Sequence, residues 1–153
     1  MSDGKSPRNV WNNLLVWSAK VSSIIKDAEL VNIDDKSMRI AIAKGTTVIF
    51  VELIENNEGI VFVRILSPIV SEMKKLDGKI LLKIFEKNSQ LIFGKITLDL
   101  ENRRINLENN LLGNFIDEAE FVFAIAELIN FADAVDEELA SLTEGKRVID
   151  MLR

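Results

Sequence analysis

Carboxylates are the most numerous side chains in this sequence that could take part in catalysis or metal binding. Between Asp117 and Glu138 the chain has eight acidic residues and no lysine or arginine. Such a series could hold a divalent cation, attract a basic partner or keep a helix surface solvated. The spacing lacks the glycine turn of calcium-binding loops and spreads the acids too widely for a tight cage. We therefore expect no metal site, and the pattern favours a solvated helix surface over a basic partner.

The residue types behind most enzyme mechanisms are absent. The chain contains no cysteine, histidine or tyrosine, which removes thiolate nucleophiles, zinc fingers and Ser–His–Asp catalysis. Its glycines are isolated, so there is no phosphate-binding loop. Asp34 and Asp35 lie in a predicted turn, where aspartate favours turn geometry. The sequence predicts no catalytic residues and no cofactor, with a carboxylate-based enzyme as a remote alternative.

Length and charge narrow the class of partner. The 153 residues predict one domain over 1–153, with peripheral or flexible ends at 1–6 and 144–153. A net charge of −5 argues against nucleic acid, whose binders present basic surfaces. No apolar run reaches the roughly 18 residues of a membrane helix, and MSDGKSPRN has no signal-peptide core. We expect a cytoplasmic protein with no nucleic-acid or membrane partner.

Apolar residues recur at helical spacing at both ends of the chain. Ser6 and Pro7 are typical of a helix start, and the first helix is predicted over about 7–27. Asp117, with Glu120 three residues on, predicts the start of the last helix. The core-facing stripes are Val10, Leu14, Trp17, Val21, Ile24 and Ala28 in the first helix and Phe121, Ile125, Leu128, Ala132, Val135 and Leu139 in the last.

Between these helices the apolar pattern changes to a period of two, which indicates strands. The predicted elements are the strands ELVNID, SMRIAIAK, TTVIFVELIE and GIVFVRIL, the helix GKILLKIFEKN, and the strands LIFGKITLDL and RRINLEN. Pro68 is expected to end the fourth strand. Residues 69–77 are a loop or a short helix, and NNLLGN (109–114) is a loop. The order predicts an α+β domain: an antiparallel sheet with long N- and C-terminal helices and a middle helix.

A hairpin turning at residues 57–59 would set the register of the two strongest strands. It places Glu52 opposite Arg64, Ile54 opposite Phe62, and Phe50 opposite Leu66. Opposite charges across a strand pair are favourable, so we expect an ion pair between Glu52 and Arg64.

This register predicts an apolar patch on the second face of the sheet. If the long helices cover one face, the other carries apolar residues beside Glu52 and Arg64, and monomers seldom expose large patches of this kind. The middle helix could cover it through Ile84 and Phe85, a second copy could bury it, or a client segment could bind there. The candidate residues are Phe50, Ile54, Phe62, Leu66 and Phe93.

Phe123 is a further candidate contact residue. It projects opposite the core stripe of the last helix, among alanines on an otherwise acidic surface. Either it makes a local contact with the loop 110–115 or the C-terminal tail, or it contacts a partner.

Three stretches resemble the YbjN-like family of bacterial proteins, which shares the type III secretion chaperone-like fold. They are VWNNLLVWSAKV, then VFVRILSPI with the later FGKITLD, and LLGNFIDEAEFVFAIAELINFADAVDEEL. The resemblance spans nearly the whole chain and implies the chaperone-like fold, used by small dimeric chaperones that hold segments of other proteins. It implies no enzymatic chemistry.

Together these observations predict a non-enzymatic protein-interaction, chaperone-like or regulatory module that forms a homodimer and binds a protein partner. The alternative is a regulatory domain that binds a small ligand in a cleft between helix and sheet.

Overall fold

Three helices and a seven-stranded sheet make up the computed structural model, which describes residues 6–148. The helices are α1 (Pro7–Ile24), α2 (Gly78–Asn88) and α3 (Glu118–Leu142). The strands are β1 (Ala28–Asp34), β2 (Arg39–Lys44), β3 (Thr47–Glu55), β4 (Val61–Ser71), β5 (Lys95–Asp99), β6 (Arg104–Leu112) and β7 (Lys146–Arg147). The predicted α+β class and element order are confirmed.

The sheet is antiparallel and runs in the order β1-β2-β3-β4-β6-β5. The short strand β7 pairs with the end of β4, where Lys146 lies opposite Ser71. Part of the tail predicted to be peripheral therefore joins the sheet. Residues 1–5 and 149–153, which include the outer parts of both predicted ends, lie outside the described residues.

The capping residues start the helices where the sequence indicated. The Ser6 hydroxyl accepts a hydrogen bond from the Asn9 amide, with Pro7 in the first turn. Asp117 accepts from the amide of Glu120 at 2.8 Å. The first helix ends at Ile24, before the predicted 27, because Ile25 is already extended.

All three helices contribute to one apolar core on the inner face of the sheet. Trp11 of α1, Ile84 of α2 and Phe121 of α3 are buried there. They join inward-facing strand residues such as Ile65 and Leu107. Because the helices share this face, no helix among residues 6–148 lies over the outer face.

The predicted β3–β4 register is confirmed, but the predicted ion pair is wrong. Glu52 does lie opposite Arg64. The Glu52 carboxylate pairs instead with Arg39 on β2, and Arg64 pairs with Glu108 on β6. Glu52 and Arg64 each have a strand on either side. Glu52 pairs with β2 and Arg64 with β6, so neither charge pairs across the β3–β4 hairpin.

Pro68 does not end its strand, contrary to the prediction. β4 continues to Ser71, and its pairing with β6 shifts register between Pro68 and Val70. The regular pairing of β4 with β3 ends at Leu66, and beyond it the Ser67 hydroxyl donates to the Val48 carbonyl at 3.0 Å. Proline is tolerated at such an irregularity because its missing amide interrupts no regular ladder.

The boundaries around β5 and β6 also differ from the prediction. Residues 109–112, predicted as a loop, extend β6 along β4. β5 begins at Lys95, so residues 91–94 leave the sheet instead of starting the strand. Gly94 permits this turn beneath α3, because a Cβ there would lie 2.8 Å from the Leu128 side chain.

Candidate partner-binding surfaces

Two of the candidate residues, Phe93 and Phe123, form an exposed aromatic pair. Their ring centroids are 5.6 Å apart and their planes are nearly perpendicular, at 85°. Phe93 remains 58% exposed and Phe123 46% exposed. The assignment of Phe93 to the outer sheet face is therefore wrong: residue 93 precedes β5 and packs against α3. We call this pair the aromatic ridge.

A carboxylate of α3 holds the chain segment that carries Phe93. Glu127 accepts hydrogen bonds from the amides of Ile92, Phe93 and Gly94, at 3.0, 3.1 and 2.7 Å. These amides have left the sheet, so they need another acceptor. Glu127 lies one helical turn beyond Phe123. The same helix therefore carries Phe123 and holds the segment that carries Phe93.

The aromatic ridge separates two apolar grooves, which share Ala119 and Phe123. The first groove, of about 550 Å³, lies toward the end of α1 and is lined by Ile24, Ile25, Glu118, Val122 and Ala126. The second groove, of about 310 Å³, lies toward β6 and is lined by Phe93, Asn109, Leu111, Glu120 and Ala124. Volumes of this size are typical of ligand-binding clefts.

One acid stands beside each groove. Glu118 approaches Lys20 of α1 at 3.4 Å. Glu120 lines the second groove and is exposed, and within the described chain no ion pair neutralises its carboxylate. The second groove therefore combines apolar walls with an unpaired negative charge, whereas Lys20 offsets the charge of Glu118 beside the first.

The second groove contains a buried polar group that lacks a partner. Asn109 is 3% exposed, and its Nδ2 has no hydrogen-bond partner in the part of the chain described. From residue 109 onward, β6 no longer pairs with β5, because that pairing ends with Lys95 opposite Glu108. A buried donor without an acceptor is costly, and this nitrogen is itself inaccessible from the groove.

The other four candidates share the outer face of the sheet. Phe50 and Leu66 lie opposite each other, as do Ile54 and Phe62. All four are partly exposed. The proposed cover by α2 is wrong, because Ile84 is buried in the inner core and Phe85 is 70% exposed.

Charged side chains divide this outer sheet face. The Arg39 guanidinium lies 4.8 Å from the centroid of the Phe50 ring and also pairs with Glu52. Arg64 approaches Glu108 at 3.3 Å, and Glu108 also accepts from Thr97. This face thus carries both apolar and paired charged groups. The four apolar candidates on it are less exposed than Phe93 and Phe123.

Most acids of α3 are engaged within the fold. Besides Glu127, Asp133 accepts from the Thr47 hydroxyl at 2.9 Å, and Glu138 pairs with Lys87 of α2. The Lys87 hydrogen bond lowers the pKa of Glu138. Asp136 is buried, which raises the pKa of its carboxyl. The predicted solvated acidic surface is therefore largely a set of structural contacts.

No group of three or more acidic side chains among residues 6–148 is arranged to hold a metal ion. None of the helices described is long and apolar enough to span a membrane.

Two solved structures share the fold of this chain. One is described as the HopA1–SchA chaperone–effector complex, with a TM-score of 0.55, 12% identity, and coverage of 82% of this chain and 96% of that one. The other is the Yersinia pestis type III secretion chaperone SycH in complex with a stable fragment of YscM2. It has a TM-score of 0.52 and 14% identity, and the match covers 78% of this chain and 97% of that one. The fold is therefore that of type III secretion chaperones.

Residues 18–151 match the family TY-Chap1, described as T3SS (YopN, CesT) and YbjN peptide-binding chaperone 1. The chain belongs to this family, which confirms the YbjN-like resemblance. No match was found among curated proteins. The family description supports a chaperone-like role in protein binding.

Sequence reasoning missed Asn109, Glu120 and Glu127 as parts of this surface. In the sequence Glu127 is one of a series of acids, and only the departure of residues 91–94 from the sheet shows what it binds. Asn109 lies on the same face of β6 as the apolar residues Leu107 and Leu111. A polar residue in the inward phase of a strand is the signal that could have identified it.

Proposed function

We propose that this protein is a chaperone-like module that holds an apolar segment of a partner protein across the aromatic ridge. It belongs to a family described as peptide-binding chaperones, and it shares its fold with chaperones whose structures contain an effector or a protein fragment. These relationships support a protein ligand rather than a reaction.

The observation that carries the proposal is the exposed Phe93–Phe123 pair with a groove on each side. Aromatic side chains are enriched among residues that dominate binding energy, and burying apolar area yields about 25 cal/mol per Å². The rings are already fixed by each other and by the Glu127 contacts. Binding therefore loses little conformational entropy at these positions.

The acids beside the grooves indicate the charge of the partner. Glu120 lies in the lining of the second groove, and the chain carries a net charge of −5, whereas Glu118 of the first groove is already paired with Lys20. Complementary charge accelerates association and disfavours partners of like charge. The segment that is held should therefore combine apolar residues with lysine or arginine.

We also propose that two copies associate through the outer sheet face, which carries Phe50, Ile54, Phe62 and Leu66. A twofold axis brings the same surface of two copies together, so a self-complementary surface is required. This face meets that requirement because it carries both acids and arginines between its apolar residues.

A quantitative pull-down from the native host tests the partner-binding role. Wild type, Phe123→Ser and Phe85→Ser are used as baits, and captured proteins are quantified by mass spectrometry. Phe85 is the matched control, since it is an exposed phenylalanine on α2 that lines a separate groove of about 820 Å³, which shares no residue with the two beside the aromatic ridge. The proposal expects a protein captured by wild type and Phe85→Ser but depleted at least tenfold by Phe123→Ser. Equal capture by all three baits contradicts it.

A further inference from the structure

The groove on the outward side of α2, of about 820 Å³, exposes a second apolar surface. Leu82 and Phe85 are three residues apart on the helix, so they lie side by side, and they are 71% and 70% exposed. Each is more exposed than either ring of the aromatic ridge. The core face of α2 is a different one, formed by the buried Ile80 and Ile84. The lining consists of Lys75, Asp77, Gly78, Lys79, Leu81, Leu82 and Phe85.

The chain around this groove is basic, although the protein as a whole is acidic. Residues 74–83 contain four lysines, all exposed, and one acid, Asp77. Lys75 approaches Asp77 at 3.9 Å, whereas Lys79 and Lys83 form no ion pair among residues 6–148. The groove therefore carries positive charge in a chain whose net charge is −5.

This positive charge does not stabilise α2 itself. Asp77 caps the helix, but its first turn has no acid and carries Lys79 beside the positive end of the helix dipole. Lys79 and Lys83 are four residues apart, so two like charges lie one turn from each other. Both arrangements are unfavourable within the isolated helix, and negative charge from outside would relieve both.

We propose that this groove binds an acidic, apolar segment of a partner protein. The apolar side chains of the segment cover Leu82 and Phe85, and its aspartate or glutamate residues pair with Lys79 and Lys83. The charge of this segment is opposite to that of the segment held on the aromatic ridge. The groove is therefore a second contact surface, beyond the proposed function.

Charge also decides against two other occupants. A second copy related by a twofold axis would bring its own lysines against these, which places like charges together. An anionic membrane surface would approach Glu86, next to Phe85, and Glu138, which is paired with Lys87 of α2; both acids are exposed. A peptide segment can contact the lysines without approaching these acids.

The experiment is an NMR titration of the full-length ¹⁵N-labelled protein with two probe peptides. They are acetyl-Gly-Ser-Glu-Leu-Phe-Glu-Glu-Leu-Gly-Ser-amide and the same peptide with glutamine in place of each glutamate. The proposal expects saturable shifts of the backbone amides of residues 75–86 with the acidic peptide. It also expects that peptide to bind roughly tenfold more tightly at low salt, because several exposed ion pairs each contribute modestly. Added salt should reduce the difference.

Variants assign the affinity to the two parts of the groove. Lys79→Gln/Lys83→Gln should remove the difference between the peptides. Phe85→Ser should weaken both peptides roughly tenfold, through the loss of buried apolar area. Lys26→Gln/Lys36→Gln is the matched control, because it removes two exposed lysines outside the groove and should retain the difference.

Equal affinity of the two peptides for wild type, a preference that survives Lys79→Gln/Lys83→Gln, or no binding at millimolar concentration would overturn the proposal. Sedimentation of the protein with vesicles of equal parts phosphatidylserine and phosphatidylcholine, lost in Phe85→Ser, would assign the groove to a membrane surface instead. Shifts of residues 79–86 on dilution of the free protein would assign it to a second copy. None of these variants alters the aromatic ridge, so the Phe123→Ser pull-down tests the proposed function separately.

Discussion

Phe93 and Phe123 meet edge to face with their centroids 5.6 Å apart, although they come from a loop before β5 and from the second turn of α3. The Glu127 carboxylate holds this arrangement, because it accepts hydrogen bonds from the amides of Ile92, Phe93 and Gly94. The surface proposed to bind a partner is thus built before any partner arrives.

Removing the Glu127 carboxylate should release the segment that carries Phe93. Glu127→Ala leaves three amides without their acceptor, and bonds to a charged group contribute about 1.5–3 kcal/mol. We expect a loss of about 2 kcal/mol in the free energy of unfolding and faster hydrogen exchange at residues 92–94. Glu137→Ala, at an exposed acid of the same helix, serves as the control. Unchanged exchange at 92–94 would show that Glu127 does not hold the loop.

Asp35 should stabilise the fold through the indole of Trp11. Trp11 is fully buried, and its Nε1 donates to Asp35 at 2.7 Å. This bond, with that from Arg8, lowers the pKa of Asp35 below its ordinary 3.8. The contribution is therefore present above that value and is lost as the pH falls through the lowered pKa. Asp35→Ala should lower Tm at pH 7, and its difference from wild type should shrink in acid. A constant difference across the range would contradict this assignment.

Asp136 should show the opposite dependence on pH. Burial raises the pKa of its carboxyl, so the charged form is disfavoured in the folded state at neutral pH. The penalty disappears as the pH falls through the raised pKa. Asp136→Asn retains an oxygen for the Glu137 amide, which now donates to Asp136. We expect this variant to have a higher Tm than wild type at pH 7, with the gap closing toward pH 4. A lower Tm at pH 7 would mean that attraction to Arg147 outweighs burial.

The proposed homodimer can be tested at the centre of the outer sheet face. Phe62→Glu places a charge between Ile54 and Arg64 on this face and should convert a dimer to a monomer. Light scattering coupled to size-exclusion chromatography measures the mass, and circular dichroism checks the fold. Val16→Glu, at an exposed site on α1, should remain dimeric. A monomeric wild type, or a dimeric Phe62→Glu, argues against this interface.

The sequence predicted elements and register well where a local signal existed. Caps at Ser6 and Asp117 and the Glu52–Arg64 register depend on residues close together in the chain or on one hairpin. The end of β4 was misjudged because whether proline is tolerated there depends on the neighbouring strands, which a single strand pattern does not reveal. β7 was missed for the same reason, since two residues acquire a strand conformation only beside β4.

The site was predicted in part. Phe123 stood out because it breaks an alanine and acid surface, whereas Phe93 was placed on the wrong face by extending the alternation of β5 four residues too far. The contact between Phe93 and Phe123 joins residues far apart in the chain and depends on Gly94 and Glu127 turning the loop toward α3. Spacing within one element carries no information about such a contact.

The most direct measurement of the partner-binding role is site-specific photo-cross-linking in the native host. A benzoylphenylalanine is placed at position 123 in one strain and at position 85 in another, and cross-linked peptides are mapped by mass spectrometry. Our account predicts that position 123 captures one partner segment rich in apolar and basic residues, while position 85 does not capture it. Capture of the same segment at both positions, or cross-links at position 123 only to scattered proteins at background level, would contradict it.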